Sequence, residues 1–195
     1  MGSEIANAVN RKGVVALVLA LAILLSYSNS FRGGWQFDDV DHITKNKAVQ
    51  ISKLTADAML DVLYAAPRPS EDSPKRIFRP LASLTLALNW YLGQDDVFGY
   101  HVFNIFLHIV SACLLFGLIL SLYRSPGLRH RCEEAAVVAF STTLLWSLNP
   151  IQTQAVTYIV QRMTSMAAMF FVMGMLFYVR GRLASSRYEK VLHYS

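Results

Sequence analysis

The sequence predicts an all-α integral membrane protein with about four transmembrane helices and a long extracytoplasmic loop carrying interfacial helices, residues 1–195 forming a single membrane domain. Three observations predict it. Of the 195 residues, 54% are hydrophobic and 16% charged, and the mean hydropathy is +0.35, a balance that suits lipid better than water. Apolar stretches recur at about residues 13–31, 102–123, 135–148 and 165–179. Basic residues gather at those ends of the stretches that an alternating topology brings to one side. The formal charge of +5 is dispersed between apolar runs and forms no stripe, which argues against nucleic acid as a partner.

Residues 13–31 carry no charge and follow Arg11 and Lys12. A spanning helix fits, and so does a cleaved signal peptide, with Ser28 and Ser30 as its small residues. The three later apolar stretches favour an uncleaved anchor. The third and fourth stretches are shorter than the roughly 20 residues a bilayer needs, so each must borrow from its flanks, the fourth from residues 153–163. Arg11 and Lys12 precede the first span, Arg124, Arg129 and Arg131 lie between the second and third, and Arg180, Arg182 and Arg187 follow the fourth. All fall on one side, which the positive-inside rule makes the cytoplasm, with the N-terminus there. The eight Lys and Arg residues from Arg32 to Arg79 lie opposite, in a loop long enough to be translocated regardless of charge. Cys113, inside an apolar run, and Cys132, after a basic turn, should lie at different depths and form neither a disulfide nor a metal site.

The loop covers about residues 32–100 and opens with Gly33, Gly34, Trp35, Gln36, Phe37, Asp38 and Asp39. Two glycines permit a tight turn, two aromatics suit the headgroup level, and both carboxylates should emerge beside them. Thr55 is placed to cap a helix through Tyr64, whose Ala58, Met59, Val62 and Leu63 recur at helical spacing and predict an apolar face lying on the membrane. Pro67, Pro69 and Pro74 mark a turn region, and a helix restarts near Pro80. Residues 81–92 are apolar but too few to span, which predicts a re-entrant or interfacial segment.

Asp38 and Asp39 are the strongest candidates for chemistry. A carboxylate at the membrane face can deprotonate an incoming hydroxyl, Asp39 taking that part, or hold a divalent cation near a lipid-linked phosphate, Asp38 taking that one. Adjacent acids in a loop are also ordinary solvated turn residues or helix caps. His101, Asn104, His108 and Ser111 recur at intervals of three and four and share one helix face, which should look inward, lining a substrate or bonding neighbouring helices. The two histidines stand about 10 Å apart along the axis, too far to chelate one metal together. After Asn149 and Pro150, Gln154, Thr157, Gln161 and Arg162 predict an interfacial helix. Arg162 can offer its planar fork to a phosphate or snorkel toward headgroups.

In order, these pieces resemble the N-terminal part of a GT-C fold glycosyltransferase, most closely the bacterial form of the transmembrane and tetratricopeptide-repeat O-mannosyltransferase-like family. The matching residues are Trp35 to Asp39, Ile43, Asn46, Arg79, Pro80, Leu81, Asn89, His101, Asn104, His108, and Asn149 through Tyr158 to Arg162. The resemblance implies a multi-pass protein of a bacterial cytoplasmic membrane that transfers a sugar from a polyprenyl-phosphate donor to a protein hydroxyl on the extracytoplasmic side. Asp38 and Asp39 inherit the catalytic role, and Arg79, His101, Asn104, His108, Gln154 and Arg162 become contacts for donor phosphate or substrate. Many relatives carry His-Pro where Asn149 and Pro150 stand, and some carry Glu at Gln154. No tetratricopeptide repeat of about 34 residues is present in the sequence, so the expectation is a fragment, a subunit completed by a partner membrane chain, or a shortened relative. The alternative is a non-catalytic membrane anchor or assembly module that keeps the family's shape. A small transporter fits poorly, because the first, third and fourth spans offer no charge at mid-bilayer.

Overall fold

A computed structural model describes residues 2–64 and 79–193, and side chains within 13–63 and 79–184. The turn expected at Pro67, Pro69 and Pro74 lies outside the described residues. Seven α-helices follow one another: α1 (Gly2–Tyr27), α2 (Ala56–Tyr64), α3 (Pro80–Gly93), α4 (Val97–Leu122), α5 (Ala135–Ser147), α6 (Gln152–Thr157) and α7 (Arg162–His193). Short 3₁₀ turns stand at Ser28–Arg32, Arg129–Arg131 and Ile159–Gln161, and one π-turn at Val40–Thr44. Among the described residues there is no strand.

Among the described residues three segments are long and apolar enough to cross a membrane: Gly13–Arg32, Val97–Leu122 and Ile159–Ala184. The second begins ahead of the expected residue 102, because Val97, Phe98 and Tyr100 continue the apolar helix upstream of His101. The 13 residues of α5 reach only about 20 Å at 1.5 Å per residue, short of a hydrocarbon core of about 30 Å.

The chain divides into two compact units. The first comprises Met1–Ser26, Phe106–Gln152 and Ala167–Ser195. In it α1 buries Leu19 and Ile23, one turn apart. Helix α5 buries Ala135, Ala139, Thr143 and Ser147, every fourth residue, a small-residue face that lets helix backbones approach closely.

The second unit comprises Tyr27–Ile105 and Thr153–Met166. Its core gathers Ile43, Val49, Val62, Leu86, Ala87, Tyr100 and Ile159, with Trp35, Trp90 and Met163 packed around them. Trp35, half-buried, stands edge-on to Tyr100, their ring centroids 5.0 Å apart, and packs against this core. Thr55 Oγ1 accepts the Ala58 N–H at 3.2 Å, the expected cap of α2. The apolar face of α2 packs against α3. Val62 belongs to the same buried cluster as Leu86. Pro80 occupies the first turn of α3, where its missing N–H costs nothing. Asn89 Nδ2 donates to the Gly99 carbonyl at 3.2 Å and ties α3 to the start of α4. Asn46 Oδ1 accepts the Ala48 N–H at 3.2 Å and shapes the turn after the π-turn.

Leu86 is 1% exposed and Leu92, on the same helix, 79%. Leu86→Ala should therefore cost about 3 kcal/mol of unfolding free energy and Leu92→Ala less than about 0.5. Denaturant unfolding of the purified chain in detergent micelles reads the difference.

Candidate functional site

The candidate site lies in the second unit, where the first loop meets the turn ahead of α7. The chain leaves the 3₁₀ turn Ser28–Arg32 at Gly33, whose N–H donates to the Ser30 carbonyl at 2.8 Å. A Cβ at Gly33 would stand 2.9 Å from that carbonyl oxygen and 3.1 Å from His101 Nε2, so only glycine fits without displacement. Phe37 has φ of 42°, in the left-handed region that a bulky side chain rarely adopts. Its ring is 85% exposed and stands edge-on to Tyr158, centroids 6.2 Å apart.

The turn separates the two acids. Asp38 is exposed. Its backbone N–H donates to Tyr158 Oη at 3.0 Å, and its carbonyl accepts from His42 Nδ1 at 2.9 Å. Asp39 is 1% exposed. Its Oδ1 accepts the Val160 N–H at 2.8 Å and its Oδ2 the Gln36 N–H at 3.1 Å. The expectation that both carboxylates emerge is thus corrected. Consecutive residues of the turn point opposite ways, and the inward one satisfies backbone donors that would otherwise be buried and unpaired. Burial holds the Asp39 carboxyl above the ordinary carboxylate range, outweighing the backbone N–H groups that favour its ionised form.

Two residues beyond Val160, Arg162 is completely buried and does not snorkel. Its Nε donates to Asn104 Oδ1 at 2.8 Å, Nη2 to the Tyr100 carbonyl at 3.1 Å and Nη1 to Thr85 Oγ1 at 3.4 Å. The guanidinium carbon lies 4.4 Å from the centre of the Phe103 ring and 5.7 Å from that of Tyr100. Asn104 Nδ2 in turn donates to the carbonyls of Tyr158 and Ile159, each at 3.4 Å. Among the described residues Asp39 and Arg162 form no ion pair.

His101, Asn104, His108 and Ser111 are all buried, as an inward face of α4 requires. Asn104 serves the Arg162 cage. His101 keeps both ring nitrogens without a hydrogen-bond partner. His108, in the first unit, bonds through Nε2 to the Ser147 carbonyl at 2.9 Å and packs on Trp146. Arg79 is exposed and its Nη1 donates to Met163 Sδ at 3.0 Å. Gln154 is exposed. Among the described residues no three His, Cys, Asp or Glu side chains converge on a metal position. Sequence reasoning assigned no part to Tyr158, Tyr100, Phe103 or Thr85. Tyr158 ends the motif that begins at Asn149, but the partner that gives it a part, the backbone of Asp38, lies 120 positions away.

Fold and site together define a helical membrane protein whose first loop turns one acid of an adjacent pair outward and the other inward. Over most of its length the chain is similar to protein O-mannosyl-transferases. It is 29% identical over 185 residues to Protein O-mannosyl-transferase Tmtc3 of Drosophila melanogaster, a match covering 89% of this chain and 20% of that protein. With Protein O-mannosyl-transferase TMTC4 of Mus musculus the identity is 31% over 166 residues, 83% of this chain and 22% of the relative. With Protein O-mannosyl-transferase TMTC1 of Homo sapiens it is 31% over 166 residues, 85% and 18%. The chain thus spans about a fifth of the length of the relatives it matches. No protein-family model matches it, and no solved structure does.

Asp39→Ala leaves the Gln36 and Val160 N–H groups unpaired and should cost about 2 kcal/mol or more, against less than about 0.5 for Asp38→Ala. The raised carboxyl also has a pH signature. Its stabilising contribution is full below the unfolded carboxylate pKa and is lost as pH rises through the higher folded-state value. Thermal melting in micelles should show wild type losing stability across that window and Asp39→Asn lacking the decline.

Proposed function

We propose that the chain works as, or within, a membrane glycosyltransferase of the GT-C type, moving a sugar from a polyprenyl-phosphate donor to a protein hydroxyl on the extracytoplasmic side. In this reading α5 spans as the third of four, the membrane is a bacterial cytoplasmic membrane, and the N-terminus is cytoplasmic. The names of the relatives support transfer of mannose to protein. The observation that carries the reading is the turn at Gln36 to Asp39, in which Asp38 alone of the adjacent acids is exposed, on backbone tethered to Tyr158 and His42.

Asp38 is the general base. It takes the proton of the acceptor hydroxyl as that oxygen bonds to the anomeric carbon. The bond from anomeric carbon to phosphate oxygen breaks, and the polyprenyl phosphate leaves with the electron pair. Asp39 and Arg162 are positioning residues in this scheme: both are buried and turned to protein partners. Arg79 and Gln154, both exposed, are assigned to the donor phosphate, and His101, with free ring nitrogens, to the lining. Were a divalent cation to take part, Asp38 would hold it only where that carboxylate is not the base, and the cation would supply positive charge to the leaving phosphate. A partner membrane chain supplies further spans where this one is insufficient alone.

The internal engagement of Asp39, Asn104 and Arg162 favours a second reading, a non-catalytic membrane module whose polar residues serve packing. Transfer from polyprenyl-phosphate mannose to an acceptor peptide separates the two, measured for the chain in lipid with and without divalent metal. Asp38→Asn should lower turnover by at least about 100-fold, the scale of a lost general base, with helix content and melting unchanged. Turnover that survives Asp38→Asn would remove Asp38 as the base. Absence of turnover in folded wild type would favour the module.

A further inference from the structure

The first unit contains a cavity of about 230 Å³ lined by Ala16 and Leu19 of α1, Cys113, Phe116, Gly117, Leu120 and Ser121 of α4, and the arginines Arg124 and Arg180. Its lining combines apolar side chains with Ser121 and the two arginines. Leu19 is fully buried there, and the Ser121 hydroxyl is already spent on the Gly117 carbonyl at 2.7 Å. Gly117 keeps the space open: a Cβ there would lie 3.7 Å from Leu176 and 3.8 Å from Arg180 Nη2.

The two guanidinium groups are the unusual feature. Among the described residues the ion pairs are Lys45 with Asp41 and Arg131 with Glu134, and within that set neither Arg124 nor Arg180 has a carboxylate partner. No carboxylate lines the cavity either. Two like charges lining one cavity are relieved by an anion bound with them, and guanidinium forks match phosphate oxygens. A soluble anion would satisfy the charges and leave the apolar walls empty. A molecule with a phosphate head and a hydrocarbon tail satisfies both, and basic pockets between membrane helices take such lipids.

We propose that this cavity binds an anionic phospholipid, its phosphate between Arg124 and Arg180 and an acyl chain against Leu19, Phe116 and Leu120. The site is separate from the first-loop turn and independent of any transferase activity. It contributes to holding α1, α4 and α7 of this unit together from the lipid side.

Native mass spectrometry of the full chain, released from micelles doped with equal phosphatidylglycerol and phosphatidylcholine, tests the assignment. Wild type should retain phosphatidylglycerol at least about tenfold over phosphatidylcholine. The preference should disappear in Arg124→Ala/Arg180→Ala. It should fall equally in Gly117→Leu, which fills the cavity and keeps both charges. Arg129→Ala/Arg131→Ala, which removes the same charge outside the cavity, should keep it. Circular dichroism on each variant confirms unchanged helix content, and Arg180→Gln is the milder variant if the double one fails to fold. Equal retention of the two lipids by wild type, or a preference that survives both cavity variants, would overturn the proposal. So would loss of the lipid to millimolar inorganic phosphate, which would reassign the arginines to a soluble anion.

Discussion

The second unit is organised around a cation that has no water. Arg162 is fully buried, and taking a guanidinium out of water costs several kcal/mol unless its donors and charge are met inside. They are met by neutral groups from separate elements: a hydroxyl from α3, a backbone carbonyl and an amide from α4, and two aromatic faces from α4. None of these can shift without exposing the rest, so the cage fixes how the start of α4 lies against α3 and the turn ahead of α7. A core of Leu and Ile alone would give the same burial but not the same register, because apolar contacts carry little direction.

Asp39 extends that constraint to the first loop. Its carboxylate grips the Val160 N–H, two residues before Arg162, and the Gln36 N–H on its own strand of chain. Gln36 and Val160 are thereby joined through one side chain, and the residues between Gln36 and Asp39 have little freedom left. Phe37 takes up the difference by entering the left-handed region, at a cost of about 1–2 kcal/mol. The consequence is an exposed Asp38 on stiff backbone, which is what a general base needs, since a reactive group that wanders loses most of its effective concentration.

Much of this was legible in the sequence and some was not, for reasons that differ by element. The apolar runs of α1, α4 and α7 are composition signals and need no partner to be read. The cap at Thr55 and the proline that begins α3 are local, decided within one turn of chain. The face of α2 was also legible, through Ala58, Met59, Val62 and Leu63, but its packing against α3 was not, because the residues it meets lie further along the chain, Leu86 of the same cluster 24 positions on from Val62. Arg162 was read by its charge as a surface or phosphate group. Its burial depends on Asn104 and Thr85, 58 and 77 positions away, and no local spacing reports that.

The Asp38-Asp39 pair marks the limit of motif reading. The two residues are chemically identical and adjacent, so sequence alone gives no physical ground for casting Asp39 as the base and Asp38 as the cation ligand, and the burial of Asp39 leaves the exposed Asp38 as the acid proposed for the base. What distinguishes them is which faces the two unpaired backbone N–H groups at Gln36 and Val160, and that is settled by packing of a segment 121 positions away. Once one carboxylate is committed to those donors, the other is left to solvent, since a turn cannot bury both without a second set of donors. The division of labour between anchoring and exposed acid therefore follows from hydrogen-bond supply rather than from any difference in acidity built into the residues.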